Sequence, residues 1–247
     1  MSADGNTAVV GGIFDNSNAG AAWVYTRSGG AWTQQGAKLF GTGATGAAYQ
    51  GNSVAVSADG NTVVVGGPVD SSGAGAAWVY TRSGGAWTQQ GAKLFGTGAT
   101  GVAHQGRSVA LSADGNTAVV GGYYDNAGAG AAWVYARSGG GWIQQGAKLA
   151  GTGATATAFQ GFSVAVSADG NTAVVGGLAD SGGAGAAWVY TRSGGVWTQQ
   201  GTKLVGSGAT GAAQQGYSVA LSADGNTAVV GGPSDNSSAG AAWVYTP

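Results

Sequence analysis

The side chains able to do chemistry are few, and most of them recur. All ten carboxylates are aspartates, in two sets that repeat every 55 residues: Asp4, Asp59, Asp114, Asp169 and Asp224, and Asp15, Asp70, Asp125, Asp180 and Asp235. Two chemistries suggest themselves for the second set. Five carboxylates converging near an axis would raise one another's pKa by like-charge repulsion and hold a cation; alternatively, each caps its own loop as an Asx turn. The first set stands in Ser-Ala-Asp-Gly-Asn-Thr, where Asp-Gly supplies the positive φ of a tight turn, so these aspartates read as turn residues. General acid–base or nucleophilic catalysis needs a unique constellation. Here there is one histidine, His104, with no carboxylate pair near it in sequence, no Glu and no Cys. The expectation is a protein that is not an enzyme and takes no cofactor.

The elements that would position these residues follow from the repeat. The hexapeptide starts at Ser2, Ser57, Ser112, Ser167 and Ser222, which makes a 55-residue internal period. In the unit beginning at Gly51, Ser53 to Ser57 reads as a strand a, Thr62 to Val65 as b, Ala76 to Arg82 as c and Trp87 to Leu94 as d, with turns at Ala58-Asp59-Gly60-Asn61 and Ser83-Gly84-Gly85. Glycine supplies 52 of 247 residues and interrupts every window in which a helix could form. Without a period, such a content would indicate disorder; with one, the glycines become turn and close-approach positions. An all-β chain follows. Four antiparallel strands per repeat of this length are the signature of a β-propeller blade, because one such sheet cannot bury both faces alone.

Strands b and c occur five times, a and d four times. The preferred reading is one domain over 1–247, a five-bladed propeller with incomplete first and last blades, divided as a partial unit 1–48, then 49–103, 104–158 and 159–213, and a partial unit 214–247. A four-bladed ring and a piece of a longer array are the other two. Unpaired terminal strands would offer a route to homo-oligomers.

Segments such as Phe162-Ser163-Val164-Ala165-Val166, Asp169-Gly170-Asn171, Val174-Val175-Gly176-Gly177 and Gly185-Ala186-Ala187-Trp188-Val189-Tyr190, with Gly66-Gly67-Pro68 and Gly231-Gly232-Pro233, resemble the FG-GAP repeat of integrin alpha-subunit propellers and their bacterial relatives. The resemblance covers every unit. It implies a propeller that serves as an adhesion or ligand-binding platform, and an extracellular or cell-surface setting, although Met-Ser-Ala-Asp-Gly-Asn at the start of this chain has no signal-peptide character. Metal-binding members of the family carry several carboxylates between strands a and b. Ser167-Ala168-Asp169-Gly170-Asn171 has one, too few for the six to eight oxygens of calcium, and no metal site is expected.

Differences between units point to positions the scaffold does not dictate. They gather in the b–c loops, at Phe14, Tyr123 and Tyr124, and in the d–a connections, at Tyr49, His104, Phe159 and Gln214 and again at Asn52, Arg107, Phe162 and Tyr217. Both connections lie at the same end of an up-and-down sheet, so divergence marks one face, whose aromatic and amide side chains suit a carbohydrate or a protein surface. The alternative is a structural repeat array that self-assembles without a small ligand. The nine tryptophans, at fixed positions among apolar neighbours, read as core; the repeated Arg and Lys read as solvated edges or Asp partners. Nine Lys+Arg against ten Asp leave no field for nucleic acid, and no apolar run is long enough for membrane insertion.

Overall fold

In the computed structural model, which describes residues 1–246, the chain forms five antiparallel sheets in sequence order. The first has three strands, β1 (Thr7–Gly12), β2 (Ala21–Ser28) and β3 (Ala31–Gln34). Three four-stranded sheets follow: β4 (Ser53–Val56), β5 (Thr62–Gly67), β6 (Ala76–Ser83) and β7 (Ala86–Gln89); β8 (Ser108–Leu111), β9 (Thr117–Gly122), β10 (Ala131–Ser138) and β11 (Gly141–Gln144); β12 (Gln160–Val166), β13 (Thr172–Gly177), β14 (Ala186–Ser193) and β15 (Val196–Gln199). The last sheet again has three, β16 (Ser218–Leu221), β17 (Ala228–Gly232) and β18 (Ala241–Tyr245). Among the described residues no helix is long and apolar enough to cross a membrane.

Local chemistry explains each connection. In the a–b turn, Asp59 Oδ1 accepts hydrogen bonds from Ser57 Oγ at 2.5 Å and from the Asn61 amide at 2.9 Å, while Asp59 Oδ2 accepts from Asn61 Nδ2. The Asp4, Asp114, Asp169 and Asp224 turns repeat this pattern. The c–d loop is the pair Gly84-Gly85, with φ of 57° and 83°, the mirror-image turn that matches strand twist. Strand d is shorter than the sequence suggests and ends at Gln89; the chain then bows out at Gly91 and returns so that Leu94 pairs with Ala77 as an isolated bridge. The b–c connection is less irregular than a Gly-rich loop would be: β5 runs on to Gly67, and Asp70–Gly73 makes a single tight turn in which Ser71 and Ser72 have φ of 52° and 58°.

The core is the set of layers between sheets. Ala22, Val24 and Leu39 of the first unit pack on Val63, Val65, Trp78 and Tyr80 of the second, and the same small face against aromatic face recurs at the next junctions. Burying each large side chain of such a layer contributes about 1.5–3 kcal/mol. Close approach requires glycine at one point in particular. A Cβ on Gly41 would lie 2.1 Å from Trp78 Cδ1, and the indole Nε1 donates to the Thr42 carbonyl at 2.9 Å. The inner edges are tied by a ladder of backbone bonds, one per junction: the amides of Ala3, Ala58, Ala113 and Ala168 donate to the carbonyls of Ala58, Ala113, Ala168 and Ala223.

Two expectations need correction. The tryptophans are not all core: Trp78, Trp133 and Trp188 are fully buried, Trp23 and Trp243 are half-buried in the terminal sheets, and Trp32 is 41% exposed. The ring is not closed, because the outward faces of the first and last sheets do not meet; Val10 is 51% and Val244 68% exposed where their interior counterparts are sealed.

Candidate functional site

The d–a connection presents its variable side chain by a repeated device. Tyr49, His104, Phe159 and Gln214 all have left-handed backbone, with φ between 54° and 58°. That conformation costs a non-glycine residue roughly 1–2 kcal/mol and persists only where its surroundings enforce it. The enforcing residue is the next one. Gln50, Gln105, Gln160 and Gln215 are buried; the Gln105 amide donates to Ala74 O, its side-chain Oε1 accepts from the Gly96 amide at 2.6 Å and its Nε2 donates back to Gly96 O at 3.0 Å. The invariant glutamine pins the chain, and the variable residue before it is turned outward beside the b–c turn.

Seven of the residues singled out by their divergence come together. His104 stacks on Tyr123 with centroids 5.5 Å apart and 19° between planes; Tyr123 meets Phe159 edge-on at 5.5 Å and Phe162 at 5.9 Å; Tyr124 lies 5.9 Å from His104 and 6.1 Å from Phe159. Phe162 continues to Tyr217 at 5.2 Å, and the Arg107 guanidinium sits 4.2 Å over the Phe162 ring. This chain of rings runs across the third, fourth and fifth sheets, with Tyr124 43% and Tyr217 47% exposed. Phe14 and Tyr49 form a separate edge-on pair at 6.3 Å. Asn52 donates to the Arg107 carbonyl, and Gln214 accepts from Ser234 Oγ. Gly128 makes room for the cluster, since a Cβ there would lie 2.6 Å from Phe159 Cε1.

His104 has a structural setting. Its Nδ1 lies 3.0 Å from the Pro68 carbonyl and its ring is stacked on Tyr123, with no carboxylate among these partners.

The second aspartate set does not converge on a cation site. Each of Asp15, Asp70, Asp125 and Asp180 pairs with a lysine of its own unit, Lys38, Lys93, Lys148 or Lys203. Asp70 Oδ1 also accepts from the Thr45 amide of the preceding unit at 2.7 Å, and Asp235 makes the same link to Thr210. At Asp180 burial would raise the pKa, but the Lys203 ammonium, the Thr155 amide and the Ser181 hydroxyl outweigh it and hold the carboxyl below its ordinary value, opposite to the shift that mutual repulsion predicts. These aspartates are staples between units rather than a ring. Among the described residues no three His, Cys, Asp or Glu side chains gather. The arginines act beside the other aspartate set: Arg82 lies 5.4 Å over the Trp87 ring, its Nη1 donates to Gln35 of the preceding unit, and its charge helps hold the Asp59 carboxyl below its ordinary value.

Sequence reasoning overlooked a second feature. Cavities of about 440 and 220 Å³ lie in the grooves between successive strands d, one lined by Phe40, Tyr80 and Trp87, the next by Phe95, Tyr135 and Trp142. The Tyr80 and Tyr135 hydroxyls are buried without a partner. The available signal was the variation Phe40, Phe95, Ala150 and Val205 at one repeat position.

Comparison with known proteins bears on the fold. No family model matches the sequence, and no curated protein matches it. The chain is similar along its whole length to a functionally unknown protein from Desulfotomaculum acetoxidans, of which it covers 68%, with a TM-score of 0.61 and 14% identity. Over 94% of its length it is similar to 54% of a chain of Kuenenia stuttgartiensis hydrazine synthase, with a TM-score of 0.52 and 16% identity. At these identities the likeness concerns the backbone arrangement alone.

Proposed function

We propose that the chain is a non-enzymatic recognition module of the propeller type, similar to FG-GAP repeats, that binds a protein surface through the face carrying the b–c turns and d–a connections. The observation that supports this reading is the contiguous cluster of His104, Tyr123, Tyr124, Phe159, Phe162 and Tyr217 with Arg107, built from the positions that differ between otherwise near-identical units. Tyr, Phe and Arg in a packed patch are the composition of interface hot spots. The rings pack on one another and Arg107 covers one face of Phe162, which leaves edges and hydroxyls, rather than open ring faces, for a partner. Carbohydrate is the second reading, favoured by the exposed Tyr124 and Tyr217, whose ring and hydroxyl could each engage a sugar.

One experiment separates the two. The protein and its Tyr124→Ala/Tyr217→Ala variant, altered only at exposed side chains, are compared on a glycan array and in crosslinking capture of surface proteins. Capture that falls at least tenfold in the variant, without glycan signal, is the expected result. Glycan binding that depends on the same tyrosines would establish the second reading, and binding of either kind that ignores them would end both.

A further inference from the structure

Eight of the nine basic side chains are held by polar groups of the chain. Arg27, Arg82, Arg137 and Arg192 stand near the end of strand c, beside the a–b turns, and each donates to a side chain there, as Arg82 Nε does to Asn61 Oδ1. Lys38, Lys93, Lys148 and Lys203 are each paired with an aspartate of a b–c turn. Arg107 is the ninth, and it stands at the opposite end of the sheets from the other arginines. Among the described residues its guanidinium has no hydrogen bond or ion pair with the chain; what holds it is the Phe162 ring, 4.2 Å away, itself in contact with Tyr123 and Tyr217. Stacking occupies one face of a guanidinium and leaves its in-plane N–H fork free. The corresponding residues of the other units are Asn52, Phe162 and Tyr217, so this charge occurs in one unit only. The carboxylates of this face do not answer it: Asp70, Asp125 and Asp180 have side chains 0–1% exposed and are bound to lysines.

We propose that Arg107 receives a carboxylate of the partner, an Asp or Glu side chain flanked by apolar residues, so that the segment bound is an acidic, apolar peptide. The inference rests on the reading of this face as a protein-recognition surface and adds the charge its partner must carry. The ring chain supplies the apolar half: Tyr124 and Tyr217, both exposed, lie on either side of the Phe162 ring that carries Arg107, linked to it through Tyr123 and directly. Charge complementarity selects the anion. One guanidinium fork matches one carboxylate in a bidentate pair. Phosphate groups and nucleic acid are taken by clusters of basic residues, and the lysines of this face are already in ion pairs. A guanidinium held by a ring before the partner arrives loses little freedom on binding, and the half-buried setting screens the pair less than open solvent does.

The test selects a phage library of random peptides, about twelve residues long, on the immobilised 247-residue chain. The best binder is synthesised as found and with its acidic residue changed to the amide, and both peptides are titrated against the parent chain, Arg107→Gln and Arg107→Lys at two salt concentrations. Melting curves check that the variants fold. The expected result is enrichment of Asp or Glu beside Leu, Phe, Tyr or Trp, and about a tenfold loss of affinity in Arg107→Gln that Arg107→Lys recovers in part. The amide peptide should bind about tenfold more weakly to the parent and be indifferent to Arg107→Gln, because the two changes remove the same pair. Equal losses for both peptides would mean that Arg107 only holds Phe162 in place, and would overturn the proposal. Enriched peptides without an acidic residue, weakened by Tyr124→Ala/Tyr217→Ala but not by Arg107→Gln, would overturn it while supporting the protein-recognition reading. Failure to enrich any peptide, or binding of a heparin oligosaccharide that Arg107→Gln abolishes, would also overturn it; capture of surface proteins by the parent and the tyrosine variant then decides the wider reading separately.

Discussion

At the scale of single residues, the buried glutamines decide where the variable side chains point. Gln105 closes a two-bond clasp on the Gly96 peptide. Gln105→Ala strands that amide and carbonyl in a dry site and should cost about 3 kcal/mol, read as a shift of the urea midpoint at constant slope. Gly128→Ala attacks the same region from the side of the b–c turn. Its φ of 97° and the 2.6 Å approach to Phe159 forbid a methyl group, so the ring must move. Loss of about 1–2 kcal/mol, together with displaced Phe159 and Tyr123 ring resonances, is the expected outcome. The divergent positions could be read by comparing units. That His104 and Phe159 adopt left-handed backbone could not, because that conformation is normally a glycine property, and here it is imposed by the neighbouring glutamine.

At the scale of elements, the aspartate–lysine staple sets how firmly each b–c turn is held. Asp70 is fully buried and shared between Lys93 and the Thr45 amide, whereas Asp15 keeps a quarter of its side-chain exposure and Lys38 more. Asp70→Asn leaves a lysine half-buried without its counterion and should destabilise by about 3 kcal/mol. Asp15→Asn, in a solvated pair, should cost less than about 1 kcal/mol. Equal losses in a denaturant series would refute this account. The repeat made the two substitutions look equivalent, and their difference arises because only the interior unit is covered on both sides.

At the scale of the whole molecule, titration bounds the stable range. Asp59, Asp114 and Asp169 are held below 3.8 in the folded chain, burial at Asp59 and Asp114 being outweighed by the Ser hydroxyl and the Asn amide. Carboxylates with depressed folded values stabilise above the unfolded value, and the contribution fades as pH falls through the folded value. Melting temperature should hold down to about pH 4 and then fall. Burial raises Tyr80, Tyr135 and Tyr190 above 10, so the folded chain keeps these phenols neutral and stability declines as pH rises past about 10, where the unfolded chain ionises. Because each sheet touches only its sequence neighbours, the end sheets have one supporting layer and the middle sheets two. Amide exchange should be fastest in β1 and β18 and slowest in β9 and β13.

Much of the architecture was present in the residue pattern itself. A 55-residue period with Asp-Gly and Gly-Gly turns leaves an antiparallel four-stranded unit as the way to satisfy backbone and alternation at once, and the units differ at a set of positions that any fold of this kind brings to one end. Those are local facts, encoded within a few residues of where they act. What only the tertiary structure decided are relations between residues far apart in sequence: that Asp70 meets Thr45 instead of four other aspartates, that His104 through Tyr217 form one chain of rings while Phe14 and Tyr49 stand apart, and that the first and last sheets do not meet. Those relations depend on how each sheet is set on the next, an angle written into the packing of Trp78 against Gly41 and its counterparts rather than into any single stretch of sequence.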